Sequence, residues 1–140
     1  MKLTHVTIVV KDQDQALEFY TQKMGFEKKA DYTQPGRPRY LTVSPKGQDL
    51  EMVLWPAGAE ADRMPASHKQ PGIGTRTVLQ VEDCRKTFAE LKKRGVRFKD
   101  PEPMVEAWGV AADLTDPDGN PFTIYQPAPP AGAPDRNRKA

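Results

Sequence analysis

Thr4-His5-Val6-Thr7-Ile8-Val9-Val10-Lys11-Asp12 and Thr75-Arg76-Thr77-Val78-Leu79-Gln80-Val81-Glu82-Asp83 are two versions of one segment. Each alternates with period two, which is the signature of a strand, and each closes on an acidic residue suited to start a helix. Asp12 and Asp83 are placed to accept the free N–H groups of the helices that follow. Those helices are expected over about Gln13–Met24 and Cys84–Arg94. Ala16, Leu17, Tyr20 and Met24 recur at helical spacing in the first, and Cys84, Phe88 and Leu91 in the second. Gly25 and Gly95 end the two helices, because glycine tolerates the left-handed cap. New strands then begin at Phe26 and Val96.

Two further strands are expected in each half. Pro38–Ser44 and Asp49–Trp55 flank the turn Pro45-Lys46-Gly47-Gln48, and Val110–Thr115 and Pro121–Tyr125 flank Asp116-Pro117-Asp118-Gly119-Asn120. Each half therefore reads β-α-β-β-β. The expected fold class is α+β, a single domain over residues 1–126 with modules at about 1–56 and 74–126. Residues 127–140 open on a proline-rich run that holds neither a helix nor a central strand, and read as a flexible tail.

Composition narrows the function classes. A chain of 140 residues with 37% hydrophobic and 29% charged residues suits one core. The net charge of +2 falls entirely in the last fourteen residues, with Arg136, Arg138 and Lys139 against Asp135. The remainder has no basic excess with which to neutralise phosphates, so nucleic acid is not an expected partner. No run approaches the ~20 apolar residues of a membrane span, and the N-terminus does not read as a signal peptide. A single cysteine, Cys84, excludes an internal disulfide and suits a reducing compartment. The expectation is a cytoplasmic protein.

The two βαβββ modules, the opening Thr4-His5-Val6 and the Asp116-Pro117-Asp118-Gly119-Asn120 turn together resemble the vicinal oxygen chelate superfamily. That group includes glyoxalase I, the bleomycin- and fosfomycin-resistance proteins and the extradiol dioxygenases. The resemblance implies curled mixed sheets enclosing a cavity, and it implies four metal-ligand positions facing that cavity. In this chain those positions fall on His5 and Glu51 in the first module and on Arg76 and Thr123 in the second. His5 and Glu51 are competent ligands. Arg76 offers only donors, and the Thr123 hydroxyl is a weak ligand.

Strand alternation supports the placement. His5 lies opposite the Val6, Ile8 and Val10 face of its strand, and Glu51 points away from Leu50, Met52 and Leu54. Arg76 and Thr123 likewise lie opposite the apolar faces of their strands. An ionised Glu51 in a half-apolar space needs a partner, and Arg76 is the expected one. Trp55, Trp108 and Tyr125 are candidate walls for a flat or apolar ligand. Arg37, Arg39 and Tyr40 are placed to rim a cavity mouth. His68 reads as a solvated loop residue, and Cys84 as a small core residue despite its helix start.

Two functions follow from these residues. The first is a small-molecule-binding protein without a cofactor, similar in kind to the bleomycin-resistance proteins, with His5, Glu51, Arg76, Thr123, Trp55, Trp108 and Tyr125 as ligand-binding residues. The alternative is a lyase or dioxygenase using a divalent metal (Zn, Ni, Mn or Fe) on His5 and Glu51, with Glu51 as catalytic base. Symmetry and family habit both favour a homodimer.

Overall fold

Asp12 and Asp83 do what their position predicts. In the computed structural model, which describes residues 1–58, 71–72 and 76–130, the Asp12 carboxylate accepts from the Gln15 N–H at 3.0 Å and Asp83 from the Lys86 N–H at 3.1 Å. These caps open α1 (Gln13–Glu18) and α2 (Cys84–Lys93). The expected first helix does not stay α-helical to Met24: from Phe19 to Lys23 it widens into a π-helical turn. The Met24 N–H reaches back to the Phe19 carbonyl, and the extra residue lets Phe19 and Tyr20 both point inward, at 4% and 0% exposure. Gly25 (φ 77°) and Gly95 (φ 92°) supply the left-handed stops.

The remaining elements are β1 (His5–Val10), β2 (Glu27–Tyr32), β3 (Tyr40–Ser44), β4 (Glu51–Pro56), β5 (Thr77–Gln80), β6 (Arg97–Phe98), β7 (Met104–Glu106), β8 (Gly109–Thr115) and β9 (Pro121–Pro127). They form two mixed sheets in an α+β arrangement. One has the order β1-β4-β3-β2; the other has the order β5-β9-β8-β6, with β7 also pairing β8. β1 runs parallel to β4 and β5 parallel to β9, while the other pairs are antiparallel. The sequence reading missed β7. Met104, Val105 and Glu106 are all exposed, so no alternation marks them as a strand. β9 also runs two residues past Tyr125, and the Ala128 N–H donates to the Trp108 carbonyl at 2.9 Å. The flexible tail expected from residue 127 is thus bonded at its start, and its residues 131–140 lie outside the described ones.

Contacts divide the chain into two units. Unit 1 is Met1–Thr75 with Asp116–Asn120, and unit 2 is Arg76–Thr115 with Pro121–Ala140. Tyr20, Leu41, Val43 and Leu54 are fully buried in the first, and Cys84, Val110 and Phe122 in the second. The Asp116–Asn120 turn belongs to unit 1 through buried polar bonds. Asp116 accepts from the Tyr20 hydroxyl at 2.7 Å and from the Asn120 side chain at 2.8 Å, and Asn120 also donates to the Val9 carbonyl at 2.9 Å. Burial, reinforced by the Asp116 charge, holds the Tyr20 phenol well above its ordinary range. Among the described residues, no helix is long and apolar enough to cross a membrane.

Candidate functional site

In unit 1, parallel pairing sets His5 directly opposite Glu51. His5 Nε2 and Glu51 Oε2 stand 3.4 Å apart, and both side chains remain partly open to solvent. Glu51 Oε1 accepts a 2.6 Å hydrogen bond from the hydroxyl of Thr42 on β3. The same Thr42 oxygen accepts from the Ala30 N–H at 3.0 Å, where the β2–β3 register shifts. Thr42 is completely buried, so one hydroxyl holds a bulge and anchors a carboxylate. Burial, then the Glu51 charge, pushes the Tyr40 phenol up. Trp55 follows Glu51 on the same face of β4 and is half-buried.

Unit 2 holds Arg76 and Thr123. Thr123 on β9 lies opposite Asp113 on β8, and its hydroxyl donates to Asp113 Oδ1 at 2.6 Å. Arg76, just ahead of β5, brings a guanidinium nitrogen to 4.0 Å from the same Asp113 oxygen. The expected partner of Glu51 was Arg76; the partners each has are local, Thr42 and His5 for Glu51 and Asp113 for Arg76. Trp108 and Tyr125 are brought together, with ring centroids 6.0 Å apart, and Trp108 is half-exposed.

Thr42 and Asp113 escaped the sequence reading, although Asp113 carried a signal. An acid between Ala112 and Leu114, inside an otherwise apolar strand, needs a partner across the sheet. Thr42 carried none, because a threonine is ordinary strand composition. Arg39, considered as a rim residue, is occupied. It pairs in bidentate fashion with Asp31 at 2.8 and 2.9 Å and reaches Asp14 at 2.7 Å. Cys84 is a core residue as expected, its thiol pushed up to about 11 by burial. His68 lies outside the described residues.

Taken unit by unit, these clusters supply few metal-ligating groups. Unit 1 offers one imidazole and one carboxylate, the latter with Oε1 bonded by Thr42 and Oε2 facing His5. Unit 2 offers one carboxylate beside a guanidinium and a hydroxyl. Among the described residues no three His, Cys, Asp or Glu side chains are grouped to hold an ion, whereas catalytic sites use about three protein ligands plus an open position. What the clusters can do is bind: hydroxyls, carboxylates, a fixed cation and aromatic walls are groups that orient a small molecule.

Residues 2–124 match the model of the Glyoxalase/Bleomycin resistance protein/Dioxygenase superfamily. YurT, an uncharacterized protein of Bacillus subtilis (strain 168), is 39% identical over 133 residues, covering 90% of this chain and 99% of its own. TnmS3, an antibiotic binding protein from Streptomyces sp. CB03234, is 32% identical with a TM-score of 0.75, covering 91% of this chain and 97% of its own. A member of the same superfamily from Sphaerobacter thermophilus DSM 20745 is 30% identical with a TM-score of 0.75, covering 90% and 97%.

Proposed function

This chain belongs to the glyoxalase/bleomycin resistance protein/dioxygenase superfamily, and within it we propose a binding protein that sequesters a small organic molecule without a resident metal. One observation carries the reading. Arg76 stands where metal-dependent relatives are expected to place a ligand, and it sits beside Asp113, whose Oδ1 is already bonded by Thr123. A guanidinium has no lone pair to give, and its fixed charge repels a cation. The antibiotic-binding relative supports a binding role rather than a catalytic one. The binding groups are His5, Glu51, Thr42 and Trp55 in unit 1 and Arg76, Thr123, Trp108 and Tyr125 in unit 2. The working assembly is a homodimer in a reducing, cytoplasmic setting, for which the expected light-scattering mass is twice that of the chain across a dilution series.

A second reading rests on the 3.4 Å approach of His5 to Glu51. It makes these two the half-site of a metal-dependent lyase or dioxygenase, with Glu51 as base. Elemental analysis of protein purified without added metal separates the two. The binding reading expects less than one tenth of an equivalent of any divalent ion, about the trace level of adventitious occupancy. It also expects thermal stabilisation by hits from a small-molecule panel. One equivalent of metal, lost on His5→Ala, would establish the second reading in its place.

A further inference from the structure

The face of the unit 1 sheet that carries Glu51 also carries Tyr32, Tyr40 and Trp55. Tyr32 lies opposite Tyr40 across β2 and β3, and Thr42 lies opposite Val53 across β3 and β4. Alternation then sends Tyr32, Tyr40, Thr42, Glu51 and Trp55 to one side, while Leu41, Val43, Met52 and Leu54 take the other and are buried. The 2.6 Å bond from Thr42 to Glu51 and the 5.2 Å between the Tyr32 and Tyr40 ring centroids agree with that sidedness. The pairing of β3 with β4 ends at Thr42–Val53. Beyond it the Gln13 carboxamide bridges the two chains, donating to the Arg39 carbonyl at 2.9 Å and to the Leu54 carbonyl at 3.0 Å. A side chain thus joins the strands at the level of Tyr40 and Trp55, so these two rings stand on strands that part.

Glu51 is short of positive charge. Its side chain is only 27% exposed, and Oε1 takes one hydrogen bond, from Thr42. Among the described residues the basic group within ion-pair range is His5, 3.4 Å from Oε2, longer than the about 3 Å of an N–H···O bond. Lys28, Lys29 and Arg39 are each paired with a carboxylate other than Glu51. The Glu51 charge also reaches Tyr40, whose phenol is raised by burial first and by Glu51 second. A largely buried carboxylate without a fixed cation favours a positive partner, and the faces of aromatic rings attract the same sign.

We propose that this face binds an organic ammonium ion, its cationic head against Tyr40 and Trp55 and its charge answered by Glu51. Tyr32 extends the aromatic surface outward, at 52% exposure. The assignment deepens the small-molecule-binding reading and rests on it. A neutral apolar molecule would leave Glu51 without a counter-charge. A divalent ion would find no third ligating side chain among the described residues, and would make no use of the rings.

The test uses the full chain, uniformly labelled with ¹⁵N, and three probes: choline, its neutral isostere 3,3-dimethyl-1-butanol, and sodium chloride. Choline at tens of millimolar is expected to shift the Trp55 indole N–H and the backbone resonances of Tyr40 and Glu51. The indole signal is identified by its loss in Trp55→Leu. The alcohol is expected to bind about tenfold more weakly, the scale of a cation–π contact reinforced by a carboxylate. Glu51→Gln should cut that preference to about twofold, and Trp55→Leu should weaken choline about fivefold. Tyr32→Leu, at a half-exposed position, is expected to keep the parent melting temperature and to weaken choline about twofold. Equal affinity for choline and the alcohol would overturn the cation assignment while leaving small-molecule binding standing. A preference undiminished in a folded Glu51→Gln would overturn Glu51 as the counter-charge. Displacement of choline by sodium at equal concentration would overturn the role of the rings. Absence of any shift at Tyr40, Glu51 and Trp55 with both organic probes overturns this face as the site. The panel in the preceding section then decides separately whether the chain binds small molecules at all.

Discussion

The two units carry the same three kinds of group in swapped places. In unit 1 the hydroxyl is on β3 (Thr42) and the carboxylate on β4 (Glu51); in unit 2 the carboxylate is on β8 (Asp113) and the hydroxyl on β9 (Thr123). Each hydroxyl–carboxylate bond is 2.6 Å, and each carboxylate has a basic group beside it, His5 in one unit and Arg76 in the other. The two clusters thus have the same chemistry with hydroxyl and carboxylate exchanged between neighbouring strands. The basic group is where the units part. An imidazole can switch between charged and ligating states, whereas a guanidinium is a permanent cation. Unit 2 therefore holds a fixed positive charge beside its carboxylate where unit 1 holds an imidazole.

The strongest way to break this contrast is to remove the permanent cation and add a carboxylate. The double change Arg76→His with Thr123→Glu puts two ligating groups around the existing Asp113. It is expected to bind Zn²⁺ or Ni²⁺ at least about a thousandfold more tightly than the parent, roughly 4 kcal/mol by calorimetric titration. Adding Asp113→Asn to that variant should remove most of the gain. No binding in the double variant would mean that Asp113 is not the neighbour the two positions share.

The units also differ in their hairpins. Gly109 has φ +146°, and a Cβ there would run into the Gln126 carbonyl, whereas Gly47 (φ +76°) faces open space. Gly109→Ala should therefore cost about 3 kcal/mol or more in denaturant unfolding, since it adds a backbone clash to conformational strain. Gly47→Ala should cost only about 1 kcal/mol, the strain alone. Similar losses at both positions would erase this difference.

The two hydroxyls sharpen the comparison further. Thr42→Val strips Glu51 of a donor and also leaves the Ala30 N–H without its acceptor; Thr123→Val removes only the donor to Asp113. Expected losses are about 2 kcal/mol and about 1 kcal/mol respectively. Equal values would mean that the β2–β3 bulge does not depend on Thr42.

The smallest effect belongs to the ion-pair cluster peculiar to unit 1. The Arg39 hydrogen bonds, helped by Lys28, hold the Asp31 carboxyl well below its ordinary range. A carboxyl depressed in the folded state stabilises above its unfolded pKa, and that contribution is lost as pH falls toward the folded value. Arg39→Gln should thus lower stability at pH 7 by under about 1 kcal/mol. The gap to the parent should begin to narrow as pH drops below about 4, the ordinary aspartate pKa. A gap as wide at pH 2.5 as at pH 7 would place the role of Arg39 in packing instead.

Much of this protein is written in local pattern. Period-two alternation in His5–Val10 and Thr77–Gln80, the caps Asp12 and Asp83 and the stops Gly25 and Gly95 are properties of neighbours in the chain. Their physics, backbone sterics and nearby hydrogen bonds, needs no distant partner; reading them as a repeat gave the α+β fold, and with the Thr4-His5-Val6 opening and the Asp116–Asn120 turn the family resemblance. The same alternation put His5, Glu51, Arg76 and Thr123 opposite the core-like faces of their strands. What alternation leaves open is which strand lies beside which and in what register. Only the β3–β4 and β8–β9 pairings bring Thr42 to Glu51 and Asp113 to Thr123. β7 exists through its pairing with β8 rather than through any pattern of its own. The π-helical turn at Phe19–Lys23 likewise answers to the core, where Phe19 and Tyr20 both have to be buried. The candidate site was legible as a set of positions. Its bonds were not, because a hydrogen bond between residues on different strands depends on sheet register, which the tertiary structure alone decides.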